Sequence, residues 1–590
     1  MVQSILPASA VTAGNVWGSP TEESTNVRKF PRIGATMKWL GRTWSAIALI
    51  IPMGLASALA AEAPADLGIL QPFYRSTQLQ GHLIGLHLIE IPEYLLGSDI
   101  DFPYRRKPGA AREIPFVDSF TINRFLGGYR EDWLRQPEAS WDNNLGIRSM
   151  DYVVRSADGS LRFRPELIER RLKPYLAVGY RPQDITLALE NVPSDLARAP
   201  EFGNWGDRSP PADLRIWTEV ISHFASDLKA YLGSAASAVS FKTGVEYDEK
   251  ASFDGSSEDF FALYEATDRG LHTVLPGAAL GPGEFTGLGE CRVATCNYST
   301  ADFLRYASAH RLTVSDVPRS LHAFLNRPNP WPSAAVERAV DSYARLPAGT
   351  IAEIHQFGLM DQPFGLGAGA ADPAAAQASW QFQTLMGLWQ KLHPRRVFHW
   401  GGVIQMGNME FLNGAGFLRL ILDHYTGAHV FLLHPENGSG GRQTGGTESL
   451  AATFTGIGKA ALIVSSFSPE MSAAKHVARF TLPSGLSSSS IRAIHYRASD
   501  NVFVRIRADL TNGGNLRREF SGCPMCLAPP AFMAVDLERA RAIIASNYPA
   551  YQAKMKETLR WRSGDEDVSL QGRTLSANLE ANELLVVELD

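Results

Sequence analysis

The chain has 590 residues, 45% of them hydrophobic and 20% charged, with a formal net charge of −5 and a pI near 6.3. This composition suits two or three globular domains with a sizeable core. No basic block stands out, which sets nucleic acid aside as a partner.

The N-terminus reads as a targeting region. Residues 1–36 look like an extension upstream of a natural start at Met37. Residues 37–61 have the plan of a signal peptide: Lys38 and Arg42, then an apolar run from Ser45 to Leu55, then the small-x-small site Ala58-Leu59-Ala60. The run is shorter than the roughly 20 residues a membrane span needs, and Pro52 interrupts it. The mature protein is therefore expected to begin near Ala61, to be secreted or periplasmic, and to have no integral membrane span once the signal is removed.

Residues 62–112 form a mixed segment. Within it Gly81–Glu90 reads as a strand, whose backbone groups must be satisfied in some sheet. The expectation is that this segment contributes a strand to a C-terminal sheet.

From residue 113 strands and helices alternate, the pattern of a parallel α/β architecture. Strands are predicted at 115–122, 151–154, 185–190, 239–246, 278–281, 316–324, 350–355 and 397–402. Helical periodicity covers 165–178, 213–231, 257–274, 300–310, 333–345 and 374–392. Eight strands over residues 113–430 match one (β/α)8 TIM barrel.

Beyond residue 430 the texture changes. Short alternating runs at 461–466, 476–482, 491–496, 502–506 and 583–589 are separated by Gly, Ser and Asn clusters. Residues 431–590 thus read as an antiparallel β-sandwich, with one helical insertion at about 536–561. The four cysteines fall in two close pairs, Cys291/Cys296 and Cys523/Cys526. An even count in an exported chain points to two small-loop disulfides. No histidine lies at ligand spacing from either pair, so neither a metal nor an organic cofactor is expected.

Two glutamates carry the chemistry of this reading. Glu246 closes the run Val239–Glu246, and Glu353 lies in Thr350-Ile-Ala-Glu-Ile-His355. A carboxylate at the C-terminal end of a barrel strand faces the ligand side. Two such groups suit glycoside hydrolysis, which uses a pair of carboxyl groups. Asp248 and Glu249 are alternative acids close by in sequence. Asn191, at the end of the third strand, and Trp205, in the loop after it, are further candidates for sugar contact.

With these segments placed, the chain resembles glycoside hydrolase family 39, which includes β-xylosidases, α-L-iduronidases and endoglycosidases tied to bacterial exopolysaccharide. Val245-Glu246-Tyr247 followed by Phe253-Asp-Gly-Ser-Ser-Glu-Asp-Phe-Phe-Ala-Leu-Tyr264 is similar to the family's acid/base segment. Leu280-Gly-Pro-Gly283, Ser320-Leu-His-Ala-Phe324, Ile351-Ala-Glu-Ile-His355 and Phe398-His-Trp-Gly401 are similar to later motifs in the same order. The resemblance implies a retaining enzyme with Glu246 as acid/base and Glu353 as nucleophile. It also implies sugar contacts from His322, His355, Tyr247 and a stacking Trp400. The sequence departs from the family at Val245, where an Asn is usual, at Tyr247 in place of Pro and at Ala352 in place of Thr. Two functions follow as expectations. The first is a secreted glycosidase acting on a polysaccharide or oligosaccharide. The second is a non-catalytic carbohydrate-binding or exopolysaccharide-assembly protein on a decayed barrel.

Overall fold

The computed structural model describes residues 64–70, 74–79, 119–122 and 125–127, and most of 151–589, where the longest stretches left out are 288–295, 361–374, 437–445 and 514–536. The upstream extension, the signal segment and Gly81–Glu90 therefore lie outside the described residues.

An eight-stranded, all-parallel sheet organises the first half. Its strands are β1 (Tyr74–Leu79), β2 (Ser119–Ile122), β3 (Ile185–Ala188), β4 (Ser240–Lys242), β5 (Ala279–Gly281), β6 (Val317–Phe324), β7 (Ala352–Met360) and β8 (Arg396–Trp400). Their spatial order is β5-β4-β3-β2-β1-β8-β7-β6. The edge strands also approach each other: Ser315 N donates to Leu280 O at 2.8 Å, Phe285 N to Pro318 O at 3.1 Å and Ser320 N to Phe285 O at 2.9 Å.

Helices α1 (Glu166–Ala177), α2 (Leu214–Leu232), α3 (Ser257–Val274), α4 (Thr300–His310), α5 (Pro332–Tyr343) and α6 (Ala375–Lys391) lie between strands in sequence. Local chemistry sets several of their starts. The Asp213 side chain accepts from Arg215 N and Ile216 N ahead of α2, and Ser256 with Asp259 forms a capping box ahead of α3. Helix α6 has buried residues on every side, among them Ala378, Trp380, Phe382, Leu385, Met386 and Leu388. A side chain at Gly387 would put its Cβ 2.7 Å from Val336 Cγ2, so glycine permits the close contact with α5.

The second region is antiparallel. A seven-stranded sheet runs in the order Ala65–Ile69, His429–Leu433, Glu448–Thr455, Ala460–Phe467, Leu584–Leu589, Ile491–Tyr496, Arg562–Ser563. A three-stranded sheet contains His476–Thr481, Thr574–Leu579 and Val568–Gln571. Strand periodicity divides the apolar residues between two cores. Leu462 and Val464 join Phe480, Leu575 and Leu579 in the smaller core, while Ala461 and Ile463 join the main one. On the main-core side, Gln383 of α6 donates to Glu448 O and Ser465 Oγ, both at 3.0 Å.

Three expectations are corrected. Val153–Arg155 does not enter the parallel sheet; it pairs antiparallel with Leu161–Phe163 in a local hairpin. The strand that completes the sheet is β1, from the segment before residue 113. The predicted strand 502–506 is helical: α8 spans Val502–Asn512, after α7 (Gly414–His424) and before α9 (Leu537–Thr558). Val502, Ile506 and Leu510 are buried one turn apart while Val504 is 56% exposed. Their spacing is helical, although the first five residues alternate as a strand would. The strand that the N-terminal segment lends to the antiparallel sheet is Ala65–Ile69, paired with His429–Leu433.

Candidate active site

Glu246 lies beyond the C-terminal end of β4. Its backbone N–H donates to Glu284 O at 2.8 Å, and Val245 bridges Glu284 in parallel register. Its φ is 56°, a left-handed conformation rare for a residue with a side chain. Two more non-glycine residues on this sheet share that feature: Asn191 after β3, at 55°, and Gln356, at 44°, where the pairing of β7 with β8 slips. Strained backbone of this kind concentrates at functional sites. Gly283 reaches φ 96°, and a Cβ there would collide with the carbonyl oxygen of Gly244. Glycine thus allows the β4 and β5 loops to close on each other and carry Glu246 and Glu284 together.

Glu246 Oε1 is sealed from solvent and has no direct hydrogen-bond partner among the described residues. Burial, with Asp248, Glu284 and Glu249 nearby, pushes the Glu246 carboxyl up to about 8, against a smaller opposing pull from the Ser320 hydroxyl. An ionised group would face both a desolvation cost and three like charges. The result is a carboxylic acid that keeps its proton at neutral pH, the state required of a general acid.

Glu353 is placed differently. It is the second residue of the nine-residue strand β7, paired with Arg396, the first residue of β8. This is the N-terminal end of the sheet, opposite to where catalytic groups of such folds sit. Glu353 is 1% exposed. Oε1 accepts from Arg396 Nε at 2.5 Å and from Arg395 Nε and Nη2 at 2.8 and 2.7 Å, while Oε2 meets His355 Nε2 at 2.9 Å. Burial alone would raise its pKa, but Arg396, His355 and Arg395 outweigh it and hold the carboxyl well below the usual range. Arg395 also bonds Asp316, and Tyr343 Oη donates to Glu353 O at 2.8 Å. Glu353, expected as a strand-end nucleophile, is thus buried near the start of β7 with both carboxylate oxygens engaged, Oε1 by Arg395 and Arg396 and Oε2 by His355.

The same network corrects His355. Its Nδ1 meets Glu284 Oε1 at 3.1 Å and its Nε2 meets Glu353, so both ring nitrogens are used inside the fold. The ring packs 4.3 Å from that of Phe398 and is buried. Glu284 Oε1 also accepts from Lys242 Nζ at 2.5 Å. A line of buried polar groups thus runs Lys242–Glu284–His355–Glu353–Arg396. The sequence reading misses Lys242, Glu284, Arg395, Arg396 and Asp316. A signal for one is present: Lys242 ends an apolar strand, and lysine is almost never fully buried unless paired.

Tyr247 and Asn191 also turn inward. Tyr247 Oη accepts from Asn191 N at 2.7 Å, and its ring stacks on Phe253 at 4.7 Å. Asn191 Nδ2 donates to Asp207 O at 2.6 Å. Both residues are buried, and they shape the β3–β4 mouth rather than offer polar groups to a sugar. Asp248 is likewise committed: it accepts from Thr286 N at 3.0 Å, from Thr286 Oγ1 at 2.8 Å and from Gly287 N at 3.4 Å. Burial still carries its pKa up to about 6 against those bonds.

His322 stays in place as a candidate. It lies on the C-terminal half of β6, partly exposed, with its ring edge-on to Phe324 at 5.4 Å. Trp400 ends β8, where its backbone pairs with Gln78 of β1; only this backbone position is described. Trp205 lies outside the described residues.

Cys296 is the one cysteine of the four that is described, and it is not a free thiol. Its backbone forms an antiparallel bridge with Glu249, and its Sγ lies 3.3 Å from Tyr298 O. These contacts pin the loop after β5 to the Glu246 loop through the main chain. Cys291, Cys523 and Cys526, the other members of the two expected pairs, lie outside the described residues.

Among the described residues no group of three His, Cys, Asp or Glu side chains could hold a metal ion, and no helix is long and apolar enough to cross a membrane.

No family model matches the sequence, and no curated protein matches it. Solved structures do. The GH39 enzyme from Xanthomonas axonopodis pv. citri is similar over 92% of this chain and 99% of its own, with a TM-score of 0.52 at 13% identity. A glucosidase from Croceicoccus marinus matches over 90% and 97%, with a TM-score of 0.46 at 12% identity. The GH51 arabinofuranosidase from the same Xanthomonas matches over 90% and 98%, with a TM-score of 0.43 at 12% identity. At such identities the first likeness establishes fold: this chain is built like a GH39 glycoside hydrolase, with a second domain.

Proposed function

We propose that the protein is a glycoside hydrolase acting on a polysaccharide or oligosaccharide, with Glu246 as general acid at the mouth of a (β/α)8 barrel that carries a C-terminal β-sandwich. The observation that carries this reading is the environment of Glu246: a strained, strand-end carboxylic acid with one unpartnered oxygen, protonated at neutral pH. It would deliver that proton to the leaving glycosidic oxygen as the bond breaks. Double displacement through Glu353 is not part of the proposal, because its carboxylate is enclosed at the other end of the sheet. His322, partly exposed on the C-terminal half of β6, would contribute a hydrogen bond to a sugar hydroxyl. The signal segment and paired cysteines support export and two disulfides as parts of the same proposal.

The test is a screen of defined oligosaccharides and bacterial exopolysaccharides, with wild type and Glu246→Gln run side by side. Reducing ends released by wild type and not by the variant would support it. A second reading, sugar binding without turnover, rests on one observation. Of the acidic groups near Glu246, Asp248 is clamped by Thr286 and Glu284 is held by Lys242 and His355. Saturable heat on titration with an oligosaccharide, with no product from any substrate, would favour this second reading.

A further inference from the structure

We propose that Glu284 is a positioning residue for Glu246: it fixes the acid's backbone and sets a permanent negative charge against its carboxyl group. The proposal rests on the assignment of Glu246 as the acid, and adds a residue that neither sequence motif nor fold likeness points to.

The geometry has three parts. Glu284 O accepts the Glu246 N–H at 2.8 Å, so the two residues are tied through the main chain. The Glu284 side chain is fully buried, and only Oε1 is spoken for, by Lys242 Nζ at 2.5 Å and His355 Nδ1 at 3.1 Å. Among the described residues its Oε2 has no hydrogen-bond partner, while the Ser320 hydroxyl acts on the Glu246 carboxyl. Ser320 comes from β6, and its N–H bonds Phe285 O, next to Glu284. Main-chain bonds thus join the loop after β4, the loop after β5 and strand β6 at Glu246, Glu284, Phe285 and Ser320.

Charge explains the arrangement. A lone buried carboxylate would be neutralised by protonation. Lys242 and His355 prevent that. Burial pushes the Glu284 carboxyl up, but these two partners outweigh it and hold it at about 2. Glu284 is therefore ionised over the whole working range. Asp248, Glu284 and Glu249 each push the Glu246 carboxyl in the same direction, because all three are acids. Asp248 titrates near 6. Glu284 is held ionised by its buried partners Lys242 and His355, and it sits beside the line of polar groups leading to Glu353.

The experiment follows the Glu246 carboxyl by carbon-13 NMR as pH is raised, in protein labelled at glutamate, with the resonance assigned by its loss in Glu246→Gln. This readout needs no substrate, so it stands even if no glycosidase activity is found. Glu284→Gln should lower the midpoint by about one pH unit, the scale for removing one nearby like charge. Glu284→Asp keeps the charge and should return the midpoint most of the way to wild type. If Glu284→Gln fails to fold by circular dichroism, the double variant Lys242→Met/Glu284→Gln removes both members of the buried pair and should show the same downward shift. A midpoint unmoved in whichever of these variants folds would overturn the proposal. On a substrate from the screen, the alkaline limb of kcat/KM should move with the midpoint.

Discussion

Glu246 and Glu353 serve one sheet from opposite ends, and their surroundings drive them in opposite directions. Around Glu246 lie the carboxyl groups of Asp248, Glu284 and Glu249, which add to the effect of burial, and the acid keeps its proton. Around Glu353 lie Arg395, Arg396 and His355, and these partners outweigh burial, so the carboxylate stays ionised. The contrast teaches that burial alone assigns no role. An ion-paired buried carboxylate belongs to stability. A buried one left among like charges is poised to give up a proton.

Several experiments would break or sharpen this contrast. The largest effect is expected at Glu246. Glu246→Gln should lower kcat/KM by about 10² to 10⁴, the usual contribution of a general acid, while leaving the unfolding midpoint at pH 6 near wild type. Wild-type rates should fall as pH rises through about 8. An unchanged rate in the variant would move the chemistry elsewhere.

Glu353→Gln should act on the fold instead. It leaves the arginines without their buried partner, a loss of about 3–5 kcal/mol, readable in urea unfolding. A variant of wild-type stability that had lost only kcat would return Glu353 to the chemistry.

The pH dependence of stability should separate the two residues by sign. The folded pKa of Glu353 lies below its ordinary 4.5. Its stabilisation is complete above 4.5 and is lost as pH falls toward the folded value. The folded value of Glu246, about 8, lies above 4.5. The stability its proton confers is complete below 4.5 and is lost as pH rises through 8. Glu246→Gln should therefore flatten the alkaline side of the stability curve, and Glu353→Gln the acid side. Parallel curves for the two variants would contradict the contrast.

The smallest effect belongs to the support under Glu353. Tyr343 Oη donates to Val317 O at 2.6 Å and to Glu353 O at 2.8 Å. Tyr343→Phe should cost about 1–3 kcal/mol, because it strands buried backbone groups, with kcat/KM unaltered on a per-folded-molecule basis.

Local physics made much of this molecule readable from sequence. The helix over Leu214–Leu232 follows from an Asp213 cap and a repeating apolar face, both contained in one short stretch. The strand Ala460–Phe467 follows from its own apolar run. Glu246 could be singled out because a short strand and a polar loop meet next to it. Other features depend on partners far away in sequence. Period-two alternation says which face a residue takes, but not how far the strand runs, so Glu353 read as a strand end although β7 continues to Met360. The five residues from Val502 alternate, yet the packing of Val502, Ile506 and Leu510 makes them a helix. Tyr74–Leu79 has little apolar signal, and it is a strand because β2 and β8 complete its hydrogen bonds. The buried line from Lys242 to Arg396 joins residues up to 154 positions apart, the difference between 396 and 242. Sequence determined which charged side chains exist; only the tertiary structure decided which would meet, because ion pairing is set by distance in space and by exclusion of water.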